Sequence, residues 1–207
     1  MCAIPDEKIV PVGSMEVRVI APRISEESSS RISFWWGLTS ASIALSRHVH
    51  SLGGNVSGKR VIELGCGLGL AGITAGLSGA DVLFTDYVPS ALDFSRKNAI
   101  LNGLSDSHTR FHILDWEDSG ELGTFDMILG SEILYDYFFH GSLVSIIRRC
   151  LAPDGVVLLA DRKRLCVSRF MGRLASAGFS CWETVSTVTL SGFPCQEITV
   201  FSLSRLQ

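Results

Sequence analysis

Short apolar runs alternate along the chain with segments whose apolar residues recur every three or four positions. The runs predict strands, and the spaced segments predict helices. Five core strands are predicted, at 58–64, 81–86, 110–115, 125–130 and 155–161. Residues 155–161 are apolar almost throughout, as a strand covered on both faces of a parallel sheet requires. Strands that alternate with helices imply such a sheet, with right-handed crossovers.

Stop signals delimit the predicted helices. The first helix opens at 34–37, carries spaced apolar residues from Leu38 to Leu52, and ends at Gly53-Gly54. A second helix follows the first core strand and extends to Gly79. The others are bounded by proline, asparagine or glycine: one from Pro89 to Asn102-Gly103, one stopped at 153–155 and one stopped at Gly178.

Both ends of the chain are predicted to be β-rich. Residues 8–20 alternate around a Gly-Ser turn, and because Pro11 interrupts the pattern they indicate either a short hairpin or two edge strands. Two final stretches, 179–190 and 195–203, have no helix between them and should form a hairpin with one antiparallel member. Residues 25–30 are polar and are expected to connect the N-terminal strands to the core.

Composition narrows the class of protein. The 207 residues, 46% apolar and 19% charged, suit one globular domain over 1–207, with an extension at 1–33 and a core at 34–207. A net charge of −3 gives no electrostatic footprint for nucleic acid. The six cysteines show neither a C-x-x-C pair nor zinc spacing, and the N-terminus lacks a signal-peptide pattern. No metal, no membrane partner, a cytoplasmic setting and a monomer are therefore expected.

The segment Val61–Gly72 carries the main chemical signal. Glycines at 65, 67, 69 and 72 follow an apolar strand and lead into a helix, a pattern typical of a loop that binds a polar ligand. A dinucleotide fingerprint would need glycine at position 70, which is leucine, and there is no Gly-Lys-Ser/Thr ending of a P-loop. What remains is Glu63-x-Gly65-x-Gly67-x-Gly69, which resembles the first motif of class I, seven-β-strand methyltransferases that use S-adenosyl-L-methionine.

The residues that end the next two predicted strands extend this pattern. In open α/β sheets the ligand lies at the carboxyl ends of the strands. Asp86, 21 residues after Gly65, is placed to accept hydrogen bonds from ribose hydroxyls, and its alternative role is an ordinary helix N-cap. Asp115-Trp116 would accept from an adenine amino group and cover its ring, or would form a solvated turn. Asp126 precedes its strand and is expected to be structural.

The segment after the fourth strand narrows the resemblance. Glu132-x-x-Tyr135, together with Trp36 upstream and Asp115-Trp116, is similar to the protein-lysine branch often called methyltransferase family sixteen. The resemblance covers about residues 34–203. The family carries aspartate where this chain has Glu132, which weakens the transfer of a role to that residue more than to Tyr135. DNA amine methyltransferases have Asp/Asn-Pro-Pro-Tyr/Phe at this place, and Ser131-Glu-Ile-Leu differs from it.

The resemblance implies an α/β fold with a Rossmann-like, doubly wound, seven-stranded, mostly parallel sheet and a C-terminal antiparallel hairpin strand. It also implies an enzyme that uses S-adenosyl-L-methionine, leaves S-adenosyl-L-homocysteine and methylates a protein side-chain nitrogen, most simply lysine. The residues it implies in cofactor binding are Trp36, Glu63, Gly65, Cys66, Gly67, Gly69, Asp86, Tyr87, Asp115, Trp116 and Ser131.

The acceptor amine is expected to meet Glu132, which would orient it or take its proton, and Tyr135, which would hydrogen-bond or wall it. Trp36 and Tyr137 are candidates for aromatic faces that hold a methylammonium. For Tyr137, Phe138 and Phe139, core packing is the preferred interpretation. The run 162–164 (Arg-Lys-Arg) is expected to be a solvated loop, with substrate contact as the less favoured alternative. Two other functions stay open: methylation of a small-molecule amine, and a cofactor-binding interaction module without catalysis.

Overall fold

The computed structural model describes residues 6–22, 37–190 and 194–206. The strands are β1 Asp6–Val12, β2 Met15–Ala21, β3 Arg60–Leu64, β4 Asp81–Asp86, β5 Thr109–Ile113, β6 Phe125–Ser131, β7 Leu151–Asp161, β8 Phe179–Val188 and β9 Gln196–Arg205. The helices are α1 Ser40–Ser51, α2 Leu70–Leu77, α3 Pro89–Leu101, α4 His140–Cys150 and α5 Leu165–Ser176, with short 3-10 helices at Gly53–Val56 and Tyr137–Phe139.

Seven strands form one sheet in the order β5-β4-β3-β6-β7-β9-β8. The first five strands of that order run parallel, whereas β9 is antiparallel to both β7 and β8. The predicted fold class and the single antiparallel member are confirmed. The chain runs outward from β3 to β5 and then returns to β6 on the other side of β3. The carboxyl ends of β3 and β6 therefore meet at a switch point, where such sheets bind ligands.

The sheet is covered on both faces because successive strand residues point to opposite sides. Val61 belongs to a buried apolar cluster with residues of α1, α2, α3 and the β1–β2 hairpin. Ile62 and Leu64 belong to a second cluster with residues of α4 and α5. These two layers hold the strand ends in fixed positions.

The N-terminal hairpin is integrated into the first layer, although the sequence pattern gave it no place in the core. Val10, Val12, Val17 and Val19 are buried there. The fully buried Asn98 of α3 accepts a hydrogen bond from the Ile20 backbone N–H and donates to the Ile20 and Leu68 carbonyls. One side chain thus ties the hairpin to the glycine-rich loop. Residues 25–30 lie outside the described residues.

Two predicted element boundaries are wrong. Helix α1 begins at Ser40 and excludes Gly37, because Thr39 and Ser42 form a capping box; residues 34–36 of the predicted start lie outside the described residues. Strand β7 begins at Leu151, which was assigned to a helix, and includes the predicted stop at 153–155. Leu151 pairs with Phe125, and a register shift follows between Phe125 and Met127. That irregularity accommodates the proline within the strand.

Candidate functional site

A cavity of about 610 Å³ opens at the carboxyl ends of β3, β4, β5 and β6. Eleven predicted site residues line it: Gly65, Cys66, Gly67, Gly69, Asp86, Tyr87, Asp115, Trp116, Ser131, Glu132 and Tyr135. Two predicted residues are not among them. Trp36 lies outside the described residues, and Glu63 lies behind the loop. That the eleven contact a ligand stays a prediction.

The glycine-rich loop between β3 and α2 forms the floor of the cavity. Gly65 and Gly69 have φ of 61° and 80°, a region that L-residues with side chains rarely adopt. A Cβ on Gly65 would lie 2.9 Å from Ile133 Cγ2, so no larger residue fits at that point. Cys66 is buried in the wall, and burial raises the pKa of its thiol, which stays protonated and unreactive.

Glu63 organises this loop from behind. Its side chain is only 2% exposed, and Oε2 accepts a hydrogen bond of 2.9 Å from the Gly72 N–H in the first turn of α2. Burial raises its pKa to about 8. The carboxyl group thus binds one of the N–H groups at the start of α2, which the sequence analysis had expected to bind the ligand. This geometry supports a role for Glu63 in positioning the loop and does not support direct contact with a cofactor.

Asp86, which is 7% exposed, joins the end of β4 to the loop. Its Oδ2 accepts from the Gly67 N–H and its Oδ1 accepts from the Val88 N–H, each at 2.9 Å. The helix N-cap interpretation is wrong, because Val88 is the capping residue of α3. Burial raises the pKa of Asp86. A carboxyl group with both oxygens already fixed by backbone donors is held rigidly at the cavity wall.

Asp115 and Trp116 follow β5. Asp115 Oδ1 accepts from the Glu117 N–H at 2.9 Å, so the predicted turn exists, yet both residues also line the cavity. Trp116 packs edge-on against Phe139, with ring centroids 5.5 Å apart. A Cβ on Gly65 would lie 3.4 Å from the Trp116 ring. The indole therefore stands beside the glycine loop at one side of the cavity.

Glu132 follows β6 in an unusual conformation. Its φ of 54° is positive, which costs a residue with a side chain on the order of 1–3 kcal/mol and is typical of functional positions. Its N–H donates to the Ala160 carbonyl at 2.9 Å. Its Oε2 lies 3.5 Å from Arg162 Nη2 and 3.8 Å from Arg164 Nη2. The predicted acceptor-orienting carboxylate is thus already paired with two guanidinium groups.

Tyr135 lines the same end of the cavity and is about half exposed. Burial, reinforced by the charges of Asp136 and Asp86, raises the pKa of its hydroxyl. The phenol therefore stays neutral at physiological pH. It can donate or accept a hydrogen bond, but it cannot serve as a phenolate base.

Two expectations about neighbouring residues are wrong. Phe138 is 68% exposed and Tyr137 44% exposed, so neither packs in the core, whereas Phe139 is partly buried against the second apolar cluster. Arg162 and Arg164 line the cavity and do not belong to a merely solvated loop. The basic run at 162–164 is visible in the sequence, but its place at the cavity is not, because that place depends on where β7 ends relative to β6.

Other wall residues were also missed. They come from the start of α1, from the end of β5 and from the segment after β6: Leu38, Thr39, Ser42, Leu114, Ile133 and Phe139. For the residues at the start of α1, the sequence offered one signal, the Thr39–Ser42 capping pattern that marks where the helix begins. Within residues 6–22, 37–190 and 194–206, no group of three or more His, Cys, Asp or Glu side chains is arranged to hold a metal ion. Across the same described ranges, no helix is long and apolar enough to cross a membrane.

The fold is that of Rossmann-like methyltransferases. The structure matches the TehB-like SAM-dependent methyltransferase from Corynebacterium glutamicum with a TM-score of 0.61, at 18% identity, over 82% of this chain and 90% of that one. The sequence assigns the chain to a narrower group than the fold does. The chain belongs to the lysine methyltransferase family, whose model matches residues 23–177.

Two curated relatives illustrate the family. The chain is 32% identical over 143 residues to EEF1A lysine methyltransferase 3 of Mus musculus, covering 68% of this chain and 61% of the relative. It is 36% identical over 127 residues to Protein N-lysine methyltransferase METTL21A of Xenopus tropicalis, covering 60% of this chain and 59% of the relative. The chain therefore spans about three fifths of the length of these relatives.

Proposed function

We propose that this protein transfers a methyl group from S-adenosyl-L-methionine to a lysine side chain of a protein substrate. One observation carries the proposal: the glycine loop with Asp86 and the Glu132–Tyr135 segment open into one cavity. A donor and an acceptor bound at these two places would meet within it. Family membership supports lysine as the acceptor.

The cavity fits the proposed cofactor. Its volume of about 610 Å³ lies within the range of roughly 300–1,000 Å³ that small-molecule sites occupy. Gly65–Gly69 would hold the methionine end, Asp86 the ribose, and Asp115 with Trp116 the adenine. When bound, the cofactor supplies a methyl group on a sulfonium, which passes to the acceptor nitrogen as the carbon–sulfur bond breaks and S-adenosyl-L-homocysteine remains.

The acceptor end must deliver a neutral amine. A free lysine has a pKa near 10.4, so only about one in 10³ is neutral at pH 7. In the proposed mechanism Glu132 orients the incoming ammonium by a charge-assisted hydrogen bond and takes its proton, directly or through water, which leaves the amine neutral for methyl transfer. Tyr135, which stays protonated, hydrogen-bonds or walls the amine. The aromatic side chains at 137 and 138 stand exposed beside Tyr135 and would lie against the protein that carries the lysine.

Two measurements test the proposal. Calorimetric titration should give binding of S-adenosyl-L-methionine and none of NAD. Incubation with the tritium-labelled donor and a cell extract should place label in protein. Label in small metabolites would favour an amine N-methyltransferase, and donor binding without transfer would favour an interaction module.

Variants locate the activity. Glu132→Ala and Tyr135→Phe should each lower transfer while leaving donor affinity unchanged. Lys163→Gln is a matched surface control, because Lys163 pairs with Glu183 and does not line the cavity. Full turnover in both cavity variants would refute the catalytic assignment. A cytoplasmic setting and a monomeric state stay predictions from the sequence.

A further inference from the structure

Four charged side chains cluster where β6 and β7 end: Glu132, Asp161, Arg162 and Arg164. Oε2 of Glu132 lies 3.5 Å from Arg162 and 3.8 Å from Arg164. Arg164 also donates from Nη2 to Asp161 Oδ1. The cavity end that would receive the amine therefore already contains two cations, and Glu132 contacts both.

The two arginines are held differently. Asp161 is fully buried, and its Oδ1 accepts both from the Arg164 guanidinium and from the Arg162 backbone N–H. Burial raises the pKa of Asp161, while the Arg164 charge opposes that rise. A buried carboxylate holds its cation strongly, because separating them would leave a charge unpaired in the interior. Arg164 is therefore anchored, whereas Arg162, whose side chain is 47% exposed against 32% for Arg164, has Glu132 as its one ion-pair partner among the described residues.

We infer that Arg164, anchored by Asp161, is a positioning residue that holds a positive charge beside Glu132, so that an acceptor amine bound there passes its proton to Glu132 or to water more readily, and that Arg162 yields its place beside Glu132 to that amine. The inference rests on the proposed function. An unbalanced carboxylate would favour the ammonium form and oppose methyl transfer. A guanidinium, which keeps its charge at every physiological pH, removes that bias without itself titrating.

Other titratable groups surround this cluster. They lie at the end of β4 and just after it (Asp86 and Tyr87), after β5 (Asp115 and Glu117), after β6 (Tyr135 and Asp136) and on α5 (Cys166). None of them is altered by the variants below. A change in the pH profile between variants therefore reports the removed charges.

The test compares pH–rate profiles. The probe is a cell extract methylated with the tritium-labelled donor, diluted until the initial rate is proportional to extract concentration. Asp161→Asn/Arg164→Gln replaces the anchored ion pair by a neutral hydrogen-bonding pair, which protects the fold. The acidic limb of its pH–rate profile should move upward by roughly half a pH unit. This is less than the one to three units that a single charge within roughly 4–6 Å produces, because the variant removes an anion together with the cation. The rate near pH 7.5 should fall about threefold and recover at high pH.

Three further variants separate the roles. Arg164→Lys keeps a cation, so the acidic limb of its pH–rate profile should stay at the wild-type position. Arg162→Gln should raise the rate at low extract concentration, because the amine no longer has to displace Arg162 from Glu132. The acidic limb of its pH–rate profile should not move. Lys163→Gln removes a cation from the same segment, and it should change neither the rate nor the position of the acidic limb.

Specific results would overturn the inference. A fall by the same factor at every pH in the double variant would make the ion pair merely structural. A lower rate in Arg162→Gln would refute displacement. Calorimetric titration of the donor should give unchanged affinity in all variants, and a loss in the double variant would assign the cluster to donor binding instead. If the wild type labels no protein at all, the proposed function itself fails, which is a distinct outcome.

Discussion

Replacing Glu63 by glutamine should remove a pH dependence of folding stability that one buried carboxyl group causes. Burial raises the pKa of Glu63 from 4.5 to about 8, so the folded protein holds this proton more tightly than the unfolded chain does. A raised folded pKa contributes stability that is fully present below pH 4.5 and is lost as pH rises through about 8. The free energy of unfolding should therefore fall as the pH rises from 4.5 to about 8.

The magnitude follows from the difference between the two pKa values. Each pH unit within the window changes the unfolding free energy by about 1.4 kcal/mol per proton. Between pH 5 and pH 8 the wild type should lose about 3–4 kcal/mol relative to Glu63→Gln. Glutamine keeps an oxygen that accepts from the Gly72 N–H. Its amide also buries an extra donor, at a cost of about 1–3 kcal/mol that does not vary with pH.

Urea denaturation of both proteins at several pH values measures this difference. The quantity to compare is the change in the wild-type minus variant free energy with pH, because it cancels every other titrating group that the two share. Glu117→Gln, at an exposed position, should stay parallel to the wild type. Parallel curves for Glu63→Gln would refute a buried, protonated Glu63 beneath the loop.

Three further changes probe the loop and its supports. Gly72→Ala would place a Cβ 2.4 Å from Phe84 Cε1, and overpacking of this kind should lower stability by about 1–3 kcal/mol in thermal unfolding. Asp86→Ala should weaken calorimetric binding of S-adenosyl-L-methionine at least about tenfold, given roughly 1.5–3 kcal/mol for a hydrogen bond to a charged group; unchanged affinity would contradict the ribose role. Asn98→Ala removes the side-chain hydrogen bonds to Ile20, so amide exchange in β2 should accelerate, and unchanged protection would contradict this link.

The core strands could be predicted because burial on both faces leaves a direct mark in the sequence. Val61 and Ile62 are apolar in succession, and each packs into a different layer. The glycine loop was equally visible, because Gly65 sits where a side chain would collide with Ile133. Such features depend on neighbours close in the chain or on the regular geometry of a parallel sheet.

The errors share a different physical origin. Pro153 was taken as a stop, but pairing of Leu151 with Phe125 keeps it within a bulged strand. Phe138 was assigned to the core by its hydrophobicity, yet it is exposed beside the cavity. Arg164 was assigned to solvent, although buried Asp161 draws it inward. Each outcome depends on contacts between distant segments, which composition and periodicity do not encode.

In the proposed function, the cavity brings a methyl donor to a protein lysine. The most direct measurement uses a donor with a deuterated methyl group, a cell extract and peptide mass spectrometry to identify the residue that receives the label. We expect label on lysine nitrogen with the wild-type protein and a strong reduction with Glu132→Ala. Label on another type of residue, or equal labelling of lysine by both proteins, would contradict it.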